Sequence, residues 1–590
     1  MRFLLTTASC AVLAAACSSN VSGPGRGKTV ASTSIPGAGG SASGGSVSGG
    51  SVSGGSVSGG SGNVGNAFSC ETASGAAPGP RRLWRLSPSE FSSTVGDFVQ
   101  GRRAPGAPSA GLPGNLVNPL IPTQSLYSTD SGFQTVTKDE FGQAYGVTLE
   151  VANQLVQTLK VGSCWATDQS EACVKTLVQE RGSILLRRPL SDEEATKYTK
   201  AFTDARTELD ADTALSTALQ TILLTPYFLF KPEIGGPAVA GVVTLTPHEV
   251  GTQLSYSITG SPPDQLLWDA AGRGELVTPG QISTQVVRLM GSPDAHGSRN
   301  FVTEYFQLRH LLDVQKQLEV DTRTSPCPYD RSRMVAQAEA LVAEVYTTSS
   351  TNRFFEALFT TSAVVADCGS ESIFGVSGAP PVTAAPTKFT APAGQRAGFL
   401  THPAWLGLKA AREDTKPMKR GEFIYEEVFC QNIPPVNLNA VPVLPETTEL
   451  TMREKFAMHT GVDCVGCHSI LDPPGFAFEN YDVVGAYRTT ASSLNKPIDA
   501  TGTLSMDPAF GDVAGLSFTN GVDFSVKLGA STTVQECVMK NGFRYYMGRK
   551  EIAADSCSLS NAKAAYQPAG SYVDFVASLA GSDSFLKRSF

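Results

Sequence analysis

The sequence Ser-Pro-Ser-Glu occupies residues 87–90, and Thr-Pro-His-Glu occupies residues 246–249. Each offers a hydroxyl that can cap a helix, a proline that fits the first helical position and a glutamate that can reach back to the cap. Close variants begin at Ser191 and Thr451. Apolar residues recur at helical spacing in segments such as 215–223 and are expected to pack in a core. The sequence therefore predicts a mainly α fold.

The N-terminus has the pattern of an export signal. A basic start at Arg2 precedes an apolar run that ends at Ala16, which is too short to span a membrane as a permanent helix. Cys17 directly follows three alanines, as in a bacterial lipoprotein site, so we expect a signal peptide at 1–16 and a lipid on Cys17. Cleavage of an ordinary signal peptide nearby is the alternative. No acidic retention signal follows Cys17 directly, and this favours the outer membrane as the destination. There the protein would face the periplasm or the exterior.

Residues 17–68 are rich in Gly and Ser, and Gly-Gly-Ser-Val-Ser repeats between Gly44 and Gly60. Such a segment cannot bury enough apolar surface to offset its ordering entropy, so it is expected to be a disordered tether. The net charge of −8 is spread along the chain without a basic stripe. Because a basic stripe is absent, we do not expect the protein to bind nucleic acid, and we expect the lipid anchor to be its contact with the membrane.

Twelve cysteines are present, and eight of them remain after Cys10, Cys17, Cys464 and Cys467 are set aside. An even number suits disulfides in an oxidising compartment. Connectivity cannot be deduced from sequence, but proximity along the chain favours Cys164–Cys173, Cys327–Cys368 and Cys537–Cys557, which leaves Cys70 with Cys430.

Residues 464–468 are Cys-Val-Gly-Cys-His, the C-x-x-C-H spacing at which c-type haem is attached. Two thiols at this spacing can add to the two vinyl groups on one edge of a porphyrin. The adjoining imidazole is then placed under the iron. The spacing predicts covalent haem c, with Cys464 and Cys467 as thioether attachments and His468 as the proximal ligand.

Three other uses of the same thiols stay open. A thioredoxin-type dithiol needs its first cysteine at the start of a helix. We instead expect a helix from about Thr451 to end at the motif, and the sequence Asp-Pro-Pro-Gly at 472–475 to prevent a long helix after it. A zinc site would add His459 and His468 to the two thiolates. A plain disulfide is the remaining alternative.

Residues 464–488, C-V-G-C-H-S-I-L-D-P-P-G-F-A-F-E-N-Y-D-V-V-G-A-Y-R, resemble the signature of the planctomycete-type cytochrome-c-like family. These are exported multi-module proteins of uncharacterised function, found also in myxobacteria. Weaker resemblances follow in the expected order at 81–99, 186–191, 253–308, 419–435 and 543–549. The resemblance implies a multi-module helical body with a C-terminal cytochrome-c-like module.

The modules are expected at 69–235 (N-terminal helical modules), 236–368 (central helical domain), 369–397 (loop or linker), 398–500 (C-x-x-C-H module) and 501–590 (C-terminal helical module that completes the cytochrome-like unit). Among candidate sixth haem ligands, Met506 is weakly favoured because it follows a loop that could return to the haem. Met539 and Met547 are expected to pack in the core. The polar residues at 472–482 are expected to serve turns, with haem propionates or calcium as alternatives.

Together these features predict an exported c-type-haem-binding lipoprotein that transfers electrons to or from an unknown partner protein in an extracytoplasmic oxidation. One alternative is a haem-dependent envelope oxidoreductase or peroxidase with an unknown substrate. The other is a non-haem structural or scaffold lipoprotein in which the Cys464–Cys467 pair is a disulfide.

Overall fold

Helices dominate the fold, at 56% of residues against 7% in strands, which confirms the prediction of a mainly α protein. The computed structural model describes residues 68–70, 78–114, 116–120, 126–130, 136–316, 327–433, 450–458, 462–491 and 495–590, with only the backbone described at 462–467. The predicted signal peptide, Cys17, His459 and nearly all of the predicted tether lie outside these residues. Among the described helices, none has both the length and the apolar character that membrane crossing requires.

The α-helices in the N-terminal half are α1 (Pro88–Gln100), α2 (Lys138–Leu159), α3 (Glu171–Leu186), α4 (Asp192–Ala205), α5 (Ala211–Leu223), α6 (Pro226–Leu229), α7 (Pro247–Thr259), α8 (Gln265–Gly272), α9 (Pro279–Met290) and α10 (His296–Tyr305). Those that follow are α11 (Arg331–Ser349), α12 (Phe354–Thr360), α13 (Glu371–Phe374), α14 (Pro403–Leu408), α15 (Pro417–Phe423), α16 (Met452–Ala457), α17 (Val462–Phe476), α18 (Gly521–Ala530), α19 (Thr532–Met547), α20 (Ser556–Tyr566), α21 (Tyr572–Ala580) and α22 (Asp583–Leu586). A π-helical turn, Ile424–Val428, continues α15.

Within the part of the chain that the structure describes, short strands form five antiparallel pairs. The strands are β1 (Leu83–Arg85), β2 (Phe230–Pro232), β3 (Val242–Thr244), β4 (Ala363–Ala366), β5 (Thr387–Thr390), β6 (Thr490–Ala491), β7 (Lys496–Pro497), β8 (Gly502–Thr503), β9 (Ser517–Phe518) and β10 (Lys587–Ser589). The pairs are β1 with β2, β3 with β10, β4 with β5, β6 with β7 and β8 with β9. The Pro-rich segment 369–397 is thus not loop throughout, since it holds α13 and the strand β5.

The four predicted helix starts all form capping boxes. Ser87, Ser191, Thr246 and Thr451 each accept a hydrogen bond from the backbone N–H of the glutamate three residues on, and that glutamate side chain accepts one from the backbone of the capping residue. Each box satisfies backbone donors that the first helical turn leaves unpaired. These local signals therefore fix where α1, α4, α7 and α16 begin.

Two hydrophobic cores organise the described residues. One lies among α1 to α6 and includes Tyr256 of α7. The larger core takes residues from α7 to α22, with aromatic side chains such as Phe301, Tyr305 and Trp405 fully buried in it. Met539 and Met547 lie in this larger core, which confirms their predicted packing role.

Disulfides join all eight remaining cysteines: Cys70–Cys557, Cys164–Cys173, Cys327–Cys368 and Cys430–Cys537. The two local pairs were correctly predicted, whereas the pairs Cys537–Cys557 and Cys70–Cys430 are wrong. Helix α19 packs on the π-helical turn, where Asn541 Nδ2 donates to the Glu427 carbonyl at 3.2 Å, and this brings Cys537 beside Cys430. The segment before β1 lies on α20, where Lys563 contacts the Phe68 ring, so Cys70 meets Cys557 instead.

A buried ion triad joins the two ends of the globular body. Glu233, which follows β2, has a fully buried side chain between Arg82 before β1 and Arg588 of β10. Arg82 Nη2 lies 2.7 Å from Glu233 Oε1, and Arg588 Nε donates to Oε2 at 2.7 Å. The triad and the Cys70–Cys557 disulfide therefore tie the start of the body to its C-terminal helices.

Candidate haem site

Helix α17 carries the C-x-x-C-H sequence in its first two turns. It begins at Val462 and continues for 15 residues to Phe476. Positions 464, 467 and 468 are three and four residues apart, so they fall on one side of an α-helix. The helical backbone therefore brings both thioether positions and the predicted proximal histidine to the same side.

The course of α17 corrects two sequence predictions. The preceding helix, α16, ends at Ala457, so the motif lies at the beginning of a helix and not at the end of one. The helix also continues through Pro473 and Pro474, which we expected to prevent it. Cys464 therefore lies near the start of a helix, where a thioredoxin-type dithiol needs its first cysteine, so the position of the helix does not exclude dithiol chemistry. The C-x-x-C-H spacing and the surroundings of His468 are the observations that favour haem.

Close packing against α15 explains why α17 tolerates two prolines. A Cβ on Gly421 of α15 would lie 2.0 Å from the Leu471 carbonyl oxygen. A Cβ on Gly475 of α17 would lie 2.2 Å from the Pro417 carbonyl oxygen. The two backbones touch where neither residue has a side chain, and this tertiary contact outweighs the two backbone hydrogen bonds that the prolines remove.

His468 forms an ion-pair-type contact with Asp472, one helical turn further along α17. Its Nδ1 lies 3.0 Å from Oδ1 and 3.1 Å from Oδ2 of the carboxylate, and both side chains are about four-fifths buried. Histidines that bind metals usually donate their second ring N–H to such a carboxylate, which fixes the ring and raises its basicity. Sequence reasoning missed this role of Asp472, although the spacing of four residues indicates it once the helix is known to continue.

Aromatic rings cover the same part of α17. The Phe456 ring of α16 lies 5.6 Å from the His468 ring and 5.8 Å from that of Phe476, measured between centroids. The guanidinium of Arg453 stacks 4.6 Å above Phe476. Helix α16 thus provides an apolar cover on one side of His468. Such a cover controls solvent access to a metal ligand.

Behind α17, Glu479 is the centre of a buried polar network. Its carboxylate accepts a hydrogen bond from Thr415 Oγ1 at 2.9 Å and lies 3.4 Å from Arg420 Nη1 and 3.7 Å from Arg488 Nη2. Burial raises the pKa of Glu479, while the two arginines act to lower it. The network anchors the segment that follows the motif against α15. Sequence reasoning missed it because nothing in the pattern shows that these charges are buried.

The other predicted residues near the motif lie in a turn, in the larger core or at its edge. Asp482 Oδ1 accepts backbone N–H groups from Val484 at 3.0 Å and Ala486 at 2.8 Å, which confirms its turn role. Phe478 and Tyr481 are buried in the larger core. Met506 is half-buried, follows β8 and packs on that core, and its role as sixth ligand stays a prediction.

The described part of the site fits a c-type haem. Positions 464, 467 and 468 lie on one helical side, the His468 imidazole has a carboxylate partner on Nδ1, and the Phe456 ring packs against it. Nε2 is then the ring nitrogen that would bind the iron. Among the residues whose side chains are described, no group of three or more His, Cys, Asp or Glu could hold a metal ion by itself.

Three family models match the chain, all described as proteins of unknown function. PSD5 (DUF1595) matches residues 173–233, PSD4 (DUF1592) matches 245–376 and PSCyt3 (DUF1588) matches 396–491. The last range contains α14 to α17 with the C-x-x-C-H sequence. No curated protein and no solved structure matches the chain. The chain thus matches, in this order, the models of three domain families of unknown function.

Proposed function

We propose that this chain is an exported, lipid-anchored protein that binds haem c covalently and transfers electrons in an extracytoplasmic oxidation. The contact between His468 Nδ1 and the Asp472 carboxylate, in a helix that carries C-x-x-C-H, is the observation that carries the proposal. A metal ligand needs such an oriented imidazole, whereas neither a structural disulfide nor a thioredoxin-type dithiol requires one beside the second cysteine. The C-x-x-C-H spacing then favours haem over zinc.

The residues around the motif have distinct roles in this proposal. Cys464 and Cys467 hold the porphyrin edge, and His468 provides the proximal ligand. Haem iron would supply reversible one-electron exchange. Asp472 holds the imidazole in one tautomer and orientation, and the Phe456 ring shields one side of it from water.

The four disulfides support export, because such bonds persist in oxidising compartments and are rare in the cytosol. Haem c attachment also takes place outside the cytoplasm, so the disulfides and the motif favour the same location. A signal at 1–16, a lipid on Cys17 and a flexible tether would hold the body at the outer membrane, where a redox partner protein would exchange electrons with it.

The test is haem attachment in protein produced together with a cytochrome c assembly system. We expect a haem stain that survives denaturing electrophoresis, and its loss in Cys464→Ser/Cys467→Ser. The matched control is Cys164→Ser/Cys173→Ser, which removes a local disulfide outside the PSCyt3 range and should leave the stain intact. Absence of stain in the wild-type chain would contradict the proposal and favour the structural or scaffold protein.

A haem-dependent oxidoreductase or peroxidase is the second candidate. The carboxylate on the proximal histidine favours it, because an Asp partner raises ligand basicity and stabilises ferric iron. A high-spin ferric spectrum that shifts on cyanide addition would favour this enzyme, whereas a low-spin spectrum unaffected by cyanide would favour the electron carrier.

A further inference from the structure

A cavity of about 810 Å³ lies between the core of α1 to α6 and the larger core. The start of α1, the end of α7, the outer side of α10 and the middle of α11 form its walls, and Tyr545 of α19 contributes to its lining. Its size falls in the range of small-molecule sites, roughly 300–1,000 Å³, and such sites occur preferentially where domains meet. The cavity is built from residues outside the C-x-x-C-H module.

Hydroxyl groups give this cavity its chemical character. Ser92, Ser93, Ser109 and Thr259 line it, and each donates its hydroxyl proton to a backbone carbonyl at 2.7 to 3.1 Å. A hydroxyl has one proton and two lone pairs, so a hydroxyl that donates to the protein offers an acceptor to a ligand. Ser92 Oγ already accepts from Asn118 Nδ2 at 2.9 Å and Thr259 is buried, so Ser93 and Ser109 are the hydroxyls that offer acceptors to a ligand.

The charges around the cavity are compensated. Each lining carboxylate has a cation partner: Asp294 with Arg103, Glu339 with Arg309 and Glu90 with Lys231. At the rim, the guanidinium groups of Arg299 and Arg309 supply donors. A charged ligand would have to break these ion pairs to bind their side chains, whereas a neutral ligand can bind while the pairs stay intact.

We propose that this cavity binds a neutral polyhydroxylated ligand, namely a short oligosaccharide. Sugar hydroxyls both donate and accept, so they match the serine acceptors on the wall and the guanidinium donors at the rim. A site built to hydrogen-bond hydroxyl groups discriminates strongly against ligands that lack them. The inference does not depend on haem, because none of its residues belongs to the C-x-x-C-H module.

A pair of matched variants on α11 tests the proposal. Ala343 lines the cavity and is half-buried, whereas Ala336 is exposed on the same helix and does not line it. Ala343→Trp places an indole in the cavity without removing a side-chain hydrogen bond, and Ala336→Trp is the control. The probes for calorimetry with the full chain are cellotetraose, xylotetraose, mannotetraose and maltotetraose, with tetragalacturonic acid as the charged comparison.

We expect at least one neutral tetrasaccharide to bind, with little dependence on salt because no net charge is neutralised. Its affinity should fall about tenfold or more in Ala343→Trp and stay unchanged in Ala336→Trp. Arg299→Gln removes a rim donor together with the ring contact of Arg299 with Tyr346. This variant should weaken binding about fivefold, and it is the second test if the tryptophan variant fails to fold. The inference is overturned if no neutral probe binds, if only the acidic probe binds, or if binding survives the blocking variant.

Discussion

Replacing Glu233 by glutamine should destabilise the protein by removing the one negative charge between two buried guanidinium groups. In the wild-type protein, Arg82 Nη2 lies 2.7 Å from Glu233 Oε1, and Arg588 Nε donates to Oε2 at 2.7 Å. The Glu233 side chain is fully buried, and those of Arg82 and Arg588 are at least nine-tenths buried. The variant leaves both cations facing a neutral amide, far from solvent.

The pKa of Glu233 sets the magnitude of this loss. Burial acts to raise that pKa, but the charges and hydrogen bonds of Arg82 and Arg588 lower it from the ordinary 4.5 to about 2. At about 1.4 kcal/mol per pH unit, the difference corresponds to roughly 3 kcal/mol of stability at neutral pH. Breaking a buried ion pair by removing one partner costs a similar amount, about 3–5 kcal/mol. Burial also lowers the pKa of Arg82 to about 10, so its charge persists at pH 7.

The assay is urea unfolding of the disulfide-intact chain at pH 7 and at decreasing pH. Because the pKa of Glu233 is lower in the folded state, its contribution is complete above about pH 4.5 and is lost as the pH falls towards 2. The difference in the free energy of unfolding between wild type and Glu233→Gln should therefore disappear over this pH interval. Glu275→Gln is the control, since it breaks an exposed pair with Arg273 and should not change stability measurably. Equal stability of Glu233→Gln and wild type at pH 7 would show that the buried triad does not stabilise the fold.

Three further predictions concern the site and its supports. Asp472→Asn removes the carboxylate from the proximal histidine and should raise the haem midpoint potential by about 60 mV. This shift corresponds to the loss of about 1.4 kcal/mol of ferric stabilisation, and potentiometric titration measures it. Gly421→Ala places a Cβ 2.0 Å from the Leu471 carbonyl oxygen and should reduce the free energy of unfolding by about 2 kcal/mol. Proteolysis of the unreduced chain followed by mass spectrometry should yield a peptide pair linked through Cys430 and Cys537.

Each of these has a control or a contradicting result. Asp482→Asn changes a carboxylate that caps a turn and should leave the potential unchanged, so equal shifts in both variants would refute the role of Asp472. Gly142→Ala lies on an open part of α2, where a Cβ meets nothing within 4 Å, and should stabilise the helix slightly. Free thiols at Cys430 and Cys537 would contradict the disulfide arrangement.

The features that could be predicted from sequence are those set by neighbouring residues. The capping boxes at Ser87, Ser191, Thr246 and Thr451 depend on four consecutive residues each, and all four form. The disulfides Cys164–Cys173 and Cys327–Cys368 join cysteines only 9 and 41 residues apart, and closeness along the sequence predicts both. Short loops bring cysteines together at low entropic cost, so proximity is informative there.

The features that could not be predicted depend on tertiary contacts. The disulfides Cys430–Cys537 and Cys70–Cys557 span 107 and 487 residues, and only helix packing brings their partners together. The continuation of α17 through two prolines depends on its contact with α15. The contact between His468 and Asp472 requires that continuation, because it joins residues one helical turn apart. A prediction that the prolines end the helix therefore cannot include this contact.

The absorption spectrum of the purified full-length protein, oxidised and then reduced, is the decisive measurement for haem at Cys464, Cys467 and His468. Protein matured with a cytochrome c assembly system should show a Soret band and, on reduction, the sharp α and β bands of a thioether-linked haem. A reduced spectrum typical of His/Met ligation would also support Met506. Properly folded protein with its disulfides formed but without any haem absorption would contradict the assignment of Cys464, Cys467 and His468 as a haem site.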